Sequence, residues 1–600
     1  QSGEVMHLVP ISNMLQCVLT NDIILAEVIE YLGQFISSGN LSDFRDGSAY
    51  QSPLNPANPM NLEIPIIMYT DEFEVCNPIG SAKTKHKIAA VYYTIAGLPP
   101  SKRSKREYIF LSALIPDKAR KKLGYNIVLE PVIRELSQLL TKHIALPSGH
   151  QFTVKAIAFC GDNLSAHGLG GFQATFSTGY ICRFCYTTYG EISNIFLENQ
   201  CELRTPTTHC NDLENLNVDG GNSRGLKQKS ILFDLAYPNF HLSDFLLPDV
   251  MHDFLEGCVP TVLTIVIKSV KESKILSLSA INALIKSFTS DKSGFGLNPY
   301  TVDITPKHIN DGKIKGTAAQ KWWLLVHLPL IFHGMNFPEN YRPLELLLKC
   351  RELGAILLAD SIPKSVVEYL RYLIHYHHTL VREISPNSIT PKFHFLIHYP
   401  SIIQRFGPPR RYWTMRFESK HQYFKDLARK CKNFKNITYT LSTRCQNFQA
   451  VTLNSEILCN NEVKCGPGER LTLSDLEDDL SEVLKNTADL GFFDNDIVYS
   501  CQWLNANGVS YRKGCVLVTA LVHEDIPLFT KVDFIINIRG EWYLGGKELT
   551  PQQFDRQTWS FVCKEASTLQ FQALESLFSR SPALCYQLDG VNHVALVTNV

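Results

Sequence analysis

An α/β protein is predicted, and three features of the 600-residue chain predict it. Between residues 61 and 162, three runs rich in β-branched and aromatic residues precede a helical pattern and a fourth strand-like run. From about 250 to 385 the apolar spacing becomes predominantly helical, and from about 490 to 600 short alternating segments return. The length and the 45% hydrophobic content exclude wholesale disorder and are enough for two to four domains.

Residues 1–60 hold a helical segment, "DIILAEVIEYLGQFI", and a Pro/Asn-rich connector, "QSPLNPANPMN". The chain opens on Gln1 rather than Met, which reads as a piece of a longer protein; an N-terminal DNA-binding module is a candidate for what precedes it. In 61–170, "EIPIIMYTDEF", "HKIAAVYYTIAG" and "EYIFLSALIP" read as consecutive strands. "NIVLEPVIRELSQLLTKHI" follows as a helix, and "FTVKAIAFCGD" as a buried strand ending on an acid. Strand, strand, strand, helix, strand is how an RNase H-like fold, of the kind in retroviral integrases, begins. Asp71 lies at the end of the first strand and Asp162 just past the fourth. In such a sheet these two strand ends are neighbours, so both carboxylates are expected in one site. The remaining boundaries are a CxxC-containing insertion at 171–248, an α-helical insertion at 249–385, and a segment at 386–450 that completes the core. An acidic linker at 451–489 and a β-rich module at 490–600 follow.

The formal net charge is zero, so a nucleic-acid surface must be local. Between Arg405 and Lys435 ten Lys or Arg face two acids, Glu418 and Asp426. A shorter basic cluster is "SKRSKR", with Lys102 and Arg103. No run reaches the roughly 18 apolar residues of a membrane helix, and no signal peptide is evident. An intracellular protein is expected, whose seventeen cysteines serve as thiols and metal ligands rather than as a disulfide frame.

Three constellations carry chemistry. Asp71, Asp162 and Glu418 together repel one another unless cations neutralise them, and hard oxygen ligands suit Mg²⁺ or Mn²⁺. "CRFC" (Cys182, Cys185) and "HFLIH" (His394, His398) are each half of a tetrahedral Zn²⁺ site, with Cys201, His209 and Cys210 as competing partners. In "LLPDVMHDFLEG", Asp249 reads either as a helix N-cap beside an exposed His252, or as part of a site in which His252 donates to a phosphate oxygen. "RYWTMRFESKHQYFK" reads as a helix with Phe417, Phe424 and Ala428 on one stripe and Glu418, His421, Gln422 and Lys425 on another.

Four segments in order, "YTDEFEVCNPIGSAKTKHKIAAVYYTIAGLP", "CGDNLSAHGLGGFQATFSTGYICRFC", "LPDVMHDFLEG" and "KFHFLIHYPSIIQRFGPPRRYWTMRFESKHQYFK", resemble DDE transposases of the CACTA/En-Spm (CMC) superfamily, animal transposon-derived branch. More distantly they resemble the catalytic core of the V(D)J recombinase. The likeness covers about residues 60–450. It implies a DNA transposase with Asp71, Asp162 and Glu418 as catalytic, metal-holding acids and His252 near the scissile phosphate. It also implies structural Zn²⁺ on Cys182, Cys185, His394 and His398. Arg411, Arg416, Lys420 and Lys425, with Lys102 and Arg103, are expected to hold DNA phosphates. Partners implied are transposon-end and target DNA and a second copy of the chain, in the nucleus and away from membranes. A domesticated, non-catalytic DNA-binding protein and a structure-specific nuclease on the same fold are the rival readings.

Overall fold

The computed structural model describes residues 5–34, 39–50, 59–75, 86–218, 224–235, 237, 240–288, 300, 302–454, 463–487, 491–506, 508–522 and 526–597. Most of the connector expected at 51–61 and residues 76–85 of the first family-like segment lie outside these. The chain divides into two compact units, Gln1–Cys258 with Leu357–Asn460, and Val259–Ile356 with Asn461–Val600.

The first unit is α/β. Strands β1 (Asn61–Glu74), β2 (Lys87–Ile95), β3 (Phe110–Pro116) and β4 (Gln151–Cys160) lie in the order β3-β2-β1-β4, flanked by short edge strands His7–Leu8 and Ile144–Ala145. β1 runs antiparallel to β2 and parallel to β4, with Tyr69 opposite Cys160. Helix α1 (Asp117–Leu139) separates β3 from β4, as the apolar spacing predicts, and bends at Gly124, whose φ of 80° suits a residue without a Cβ. Residues 64–70 of β1 are all buried, as befits a central strand covered on both faces. Leu62, Ile64, Ile66 and Met68 meet Val128, Val132 and Leu136 of α1 in one core. The alternate residues face the other way, where Tyr69 stacks on Phe417 at 4.8 Å and Phe73 on His421 at 4.6 Å.

These partners belong to helix α6 (Met415–Cys431), which covers that face. Strand periodicity thus aims Asp71, two residues past Tyr69, at the same helix. Helices α2 (Asn163–Gly170), α3 (Val366–Ile384), α4 (Pro391–Leu396) and α5 (Tyr399–Phe406), a π-helical segment Met251–Cys258, and α7 (Ile437–Asn454) complete the unit. One stripe expected on α6 changes character: His421 is buried among Phe73, Tyr69 and Tyr92 instead of lining a polar face.

The second unit joins helices between 259 and 356 to a β-rich module. Strands β5 (Gly468–Thr472), β6 (Ile497–Cys501), β7 (Val516–Val522), β8 (Ile526–Ile538), β9 (Glu541–Asp555), β10 (Ser560–Ala573), β11 (Leu584–Leu588) and β12 (Val591–Ala595) form one sheet. Their order is β5-β6-β8-β9-β10-β12-β11, with β7 also on β8. Bulges on β8, β9 and β10 curl the sheet. At Gly546 a Cβ would fall on the Lys531 carbonyl, so only glycine fits that bend.

Two expectations change here. The helical insertion, read as one block at 249–385, divides: α3 falls in the first unit, whereas 259–356 joins the module, where His327 Nε2 lies 2.6 Å from the Tyr586 hydroxyl and Arg351 donates to the Leu596 carbonyl at 2.9 Å. Part of the expected linker also folds. Helix Asp478–Thr487 buries Leu480 and Leu484 against Val498, Ile536 and Ile538, because its acids occupy one face and its leucines the other. No helix among the described residues is long and apolar enough to cross a membrane.

Candidate metal centres

Two clusters of ligand-bearing side chains lie in the first unit. The first contains Cys182, Cys185, His394 and His398, all buried, whose ligand atoms lie within 4.8 Å of one another. The cysteines come from the loop after α2; the histidines come from α4 and the turn into α5, more than 200 residues later. Cys182 Sγ is 3.5 Å from His398 Nε2, and Cys185 Sγ is 3.2 Å from His394 Nε2. Burial works against a thiolate at Cys182, yet the hydrogen bond with Cys185 and the nearby His398 and His394 hold its pKa well below the ordinary value. His398 presents its other nitrogen, Nδ1, to Glu198 at 2.9 Å; Glu198 also accepts from Ser401 and pairs with Arg371. A carboxylate behind the imidazole fixes which nitrogen faces the cluster. Two sulfurs and two nitrogens, buried and backed in this way, fit a metal such as zinc.

The three competing partners stand aside. Cys201 contacts Thr187 at 3.5 Å beside the cluster without joining the four, Cys210 is exposed, and His209 is packed against Phe172 and Phe233. Glu198 is a member that sequence reasoning missed, since nothing in "ENQ" distinguishes it from surface polarity.

The second cluster gathers Asp71, Asp162, His252 and Glu418, with Asp249 and Thr414. Asp71 accepts from the Tyr69 hydroxyl at 3.1 Å and from the Glu72 amide at 2.7 Å. Asp162 caps α2, one oxygen accepting from the Ser165 amide at 2.6 Å. Asp249 is buried and accepts from the Thr414 amide (2.9 Å), the Thr414 hydroxyl (2.7 Å) and His252 Nδ1 (2.5 Å). That leaves His252 Nε2 turned to Glu418, 3.6 Å away. Asp249 receives the amides of Met251 and His252, as a helix-start acid does, and it also holds the ring of His252, which is half-buried rather than exposed. Thr414, four residues before Glu418 and 3.2 Å from its carboxylate, is the second member the sequence did not single out; its signal was the i, i+4 spacing.

The charges of this cluster act on one another. Burial, then repulsion from Asp162, pushes Asp71 up to about 6. Burial, with repulsion from Asp249 and Asp71, pushes Glu418 up to about 7 despite the favourable His252. Burial opposes the charged form of His252, but Asp249, Glu418 and Asp162 raise it to about 10. The ring is thus an imidazolium at neutral pH. Among the described residues, one set of three or more ligand-bearing side chains closes to within 4.8 Å, and it is the Cys/His set; the carboxylate trio is more open.

The basic residues separate into two classes. Arg103 is 4% exposed and paired with Asp43, Lys102 is paired with Glu27, and Lys420 is 0% exposed and donates to the Arg106 carbonyl. Arg411 is bound to the Ser42 carbonyl and to Asp360. Of these four expected phosphate contacts, Arg103 and Lys420 are corrected, since both are buried and engaged inside the protein; Lys102 and Arg411 are half-buried and paired with acids. Arg416 is exposed and Lys425 half-buried on α6, beside Glu418. The chain matches no protein-family model and no curated protein.

Proposed function

We propose that this chain is a metal-dependent DNA transposase, which cleaves and joins strands at transposon ends through Asp71, Asp162, Glu418 and His252. The observation that carries this reading is one cluster in which carboxyls raised to about 6 and 7 face an imidazolium raised to about 10. Carboxylates that repel one another fit divalent cations, and hard oxygens fit Mg²⁺ or Mn²⁺. The strand order β3-β2-β1-β4, which supports an RNase H-like core, pairs Tyr69 of β1 with Cys160 at the end of β4, so that Asp71, still inside β1, and Asp162, past the end of β4, each lie two residues beyond that pair. The four family-like segments contain these same residues.

Asp71, Asp162 and Glu418 would hold the cations, while Cys182, Cys185, His394 and His398 would hold a structural Zn²⁺ with no position left open. When bound, divalent cations lower the pKa of water or a 3′-hydroxyl and offset charge on the scissile phosphate. His252, kept protonated and oriented by Asp249, donates Nε2–H to an oxygen of that phosphate. Arg416 and Lys425 hold backbone phosphates on either side, a contact that is salt-dependent and indifferent to sequence. The partners in this reading are transposon-end and target DNA in the nucleus, with two copies of the chain bringing two ends together.

One observation favours a second reading, a non-catalytic DNA-binding descendant. The trio is open, and one Asp162 oxygen is committed to the Ser165 amide. The deciding experiment is Mg²⁺-dependent nicking and strand transfer on DNA bearing the element's terminal inverted repeats. Wild type is expected to nick and join, and Glu418→Gln to bind without cutting. Wild type that binds but neither nicks nor joins would leave the second reading standing.

A further inference from the structure

Between the two clusters runs a buried chain of hydrogen bonds that neither cluster requires for its own ligands. Arg183 sits between the two cysteines, and its Nη1 donates to Asn163 Oδ1 at 2.8 Å. Asn163, the residue after Asp162, donates from Nδ2 to Asp253 Oδ1 at 2.5 Å. Asp253, the residue after His252, accepts on its other oxygen from the Tyr399 hydroxyl at 3.0 Å. Tyr399 is the residue after His398. The path therefore leaves the Cys/His cluster at Arg183, passes beside Asp162 and His252, and returns to the cluster at Tyr399. Arg183, Asp253 and Tyr399 are all buried.

Two further contacts stiffen the frame. Arg183 also donates to the Leu246 and Leu247 carbonyls at 3.1 and 3.2 Å, and Leu246 bridges to Phe159 on β4, the strand that leads to Asp162. Lys392, two residues before His394, donates Nζ to the His252 carbonyl at 2.8 Å. It reaches there over Gly257, where a Cβ would lie 2.5 Å from the lysine chain. A buried ionic group whose partners are all satisfied resists displacement, because losing any one partner leaves the rest uncompensated.

We infer that Arg183, Asn163, Asp253 and Tyr399 are positioning residues: they make the metal-holding Cys/His cluster set the placement of Asp162 and His252. The zinc centre then does more than stabilise the fold; its geometry is transmitted to the carboxylate site one residue away at each contact. The part that concerns cation binding rests on the proposed function, whereas the placement of His252 does not. Partners bonded directly to a ligand alter metal affinity by about 10–100-fold, and these residues, one position removed from the ligands, are expected at the lower end of that range.

The test uses the full chain, zinc-loaded, with Mn²⁺ as the probe, and compares wild type, Tyr399→Phe, Asn163→Ala and the unrelated buried-hydroxyl control Tyr511→Phe. Zinc content, Mn²⁺ binding by electron paramagnetic resonance, and the His252 ring signal in ¹³C-histidine-labelled protein are measured, with His252→Gln assigning the signal and Asp71→Asn defining carboxylate-site Mn²⁺. Tyr399→Phe and Asn163→Ala should keep their zinc, bind Mn²⁺ about tenfold more weakly and shift the His252 signal, with Tyr511→Phe unchanged. Chelating zinc from wild type should shift the same signal. Full zinc with unchanged Mn²⁺ affinity and an unmoved His252 signal would overturn the inference. If wild type binds no Mn²⁺ that Asp71→Asn abolishes, the cation reading fails by itself. The His252 signal then decides: a shift in both variants and on chelation sustains the coupling, and an unmoved signal ends it.

Discussion

The Cys/His cluster and the carboxylate cluster belong to the same unit, yet Cys182 in the first is pushed toward its charged form, whereas Asp71 and Glu418 in the second are pushed away from theirs. In the first, a thiol with a depressed pKa faces imidazoles, and the four ligand atoms close to within 4.8 Å. In the second, Asp71 and Glu418 are each pushed toward neutrality by burial and by neighbouring acids, and the trio stays open. Like charge acts in both clusters, since burial and Cys182 push Cys185 well above its ordinary value; what differs is that imidazoles lie beside the Cys182 thiol and favour its charged form. In the carboxylate cluster a divalent cation would supply an attraction that offsets this repulsion. In the proposed function the first arrangement serves stability and the second serves chemistry.

The largest test of this contrast is Cys182→Ser. It should abolish bound zinc and lower the melting midpoint of the first unit by several degrees, because metal binding to such sites is folding free energy of about 10 kcal/mol and each kcal/mol moves a unit of this size by about 1 °C. Metal analysis with calorimetry reads both; unchanged zinc would remove Cys182 from the centre. Glu198→Gln keeps all four ligands and alters only the carboxylate behind His398. Zinc affinity should fall by about 10–100-fold, and the midpoint at a fixed zinc concentration should fall by correspondingly less than in Cys182→Ser. A competition titration with a chromophoric chelator measures it.

The carboxylate cluster should respond with the opposite sign. Asp71 and Glu418 have folded-state pKa values above their ordinary ones, so the folded chain binds more protons than the unfolded chain across the intervening window. Stability without added divalent cation should therefore decline as pH rises from about 4 through 7, and Mn²⁺ should restore more of it at pH 8 than at pH 5.5. Glu418→Gln removes one of the repelling charges. Its melting midpoint at pH 8 should rise by about 1 °C, on the order of 1 kcal/mol, while in the proposed function nicking is lost. A fall at pH 8 would mean that the pairing with His252 outweighs the repulsion.

How much of this was legible in the sequence follows from the range of the forces involved. The order β1, β2, β3, α1, β4 could be read because each element carries its own period, and the period places Asp71 on the face that α6 covers. The Cys and His pairs could be read because ligand spacing is local. What could not be read was contact between distant residues of ordinary type. Glu198 reaches His398 across 200 positions, and Asn163 reaches Asp253 across 90. The division of the helical insertion was hidden for the same reason, since His327 finds Tyr586 259 residues later. The basic cluster misled because charge was counted along the chain, whereas burial sorts it in space: adjacent residues Lys102 and Arg103 are both committed to acids.

The smallest expected effect concerns that same distinction. Arg416 and Lys420 lie four apart on α6, close enough in sequence to look equivalent, but Arg416 is exposed and Lys420 is buried against the Arg106 carbonyl. In the proposed function Arg416 contacts one phosphate, so Arg416→Ala should weaken DNA binding almost uniformly across sequences and reduce the log–log salt slope by about 1. Lys420→Met should leave that slope unchanged. Burial already lowers the pKa of Lys420, so an apolar chain of similar length loses one hydrogen bond, about 1 kcal/mol, and no phosphate contact. Equal changes in slope for the two variants would show that the buried lysine swings outward on DNA, and that the charge counted along the chain is the one the nucleic acid meets.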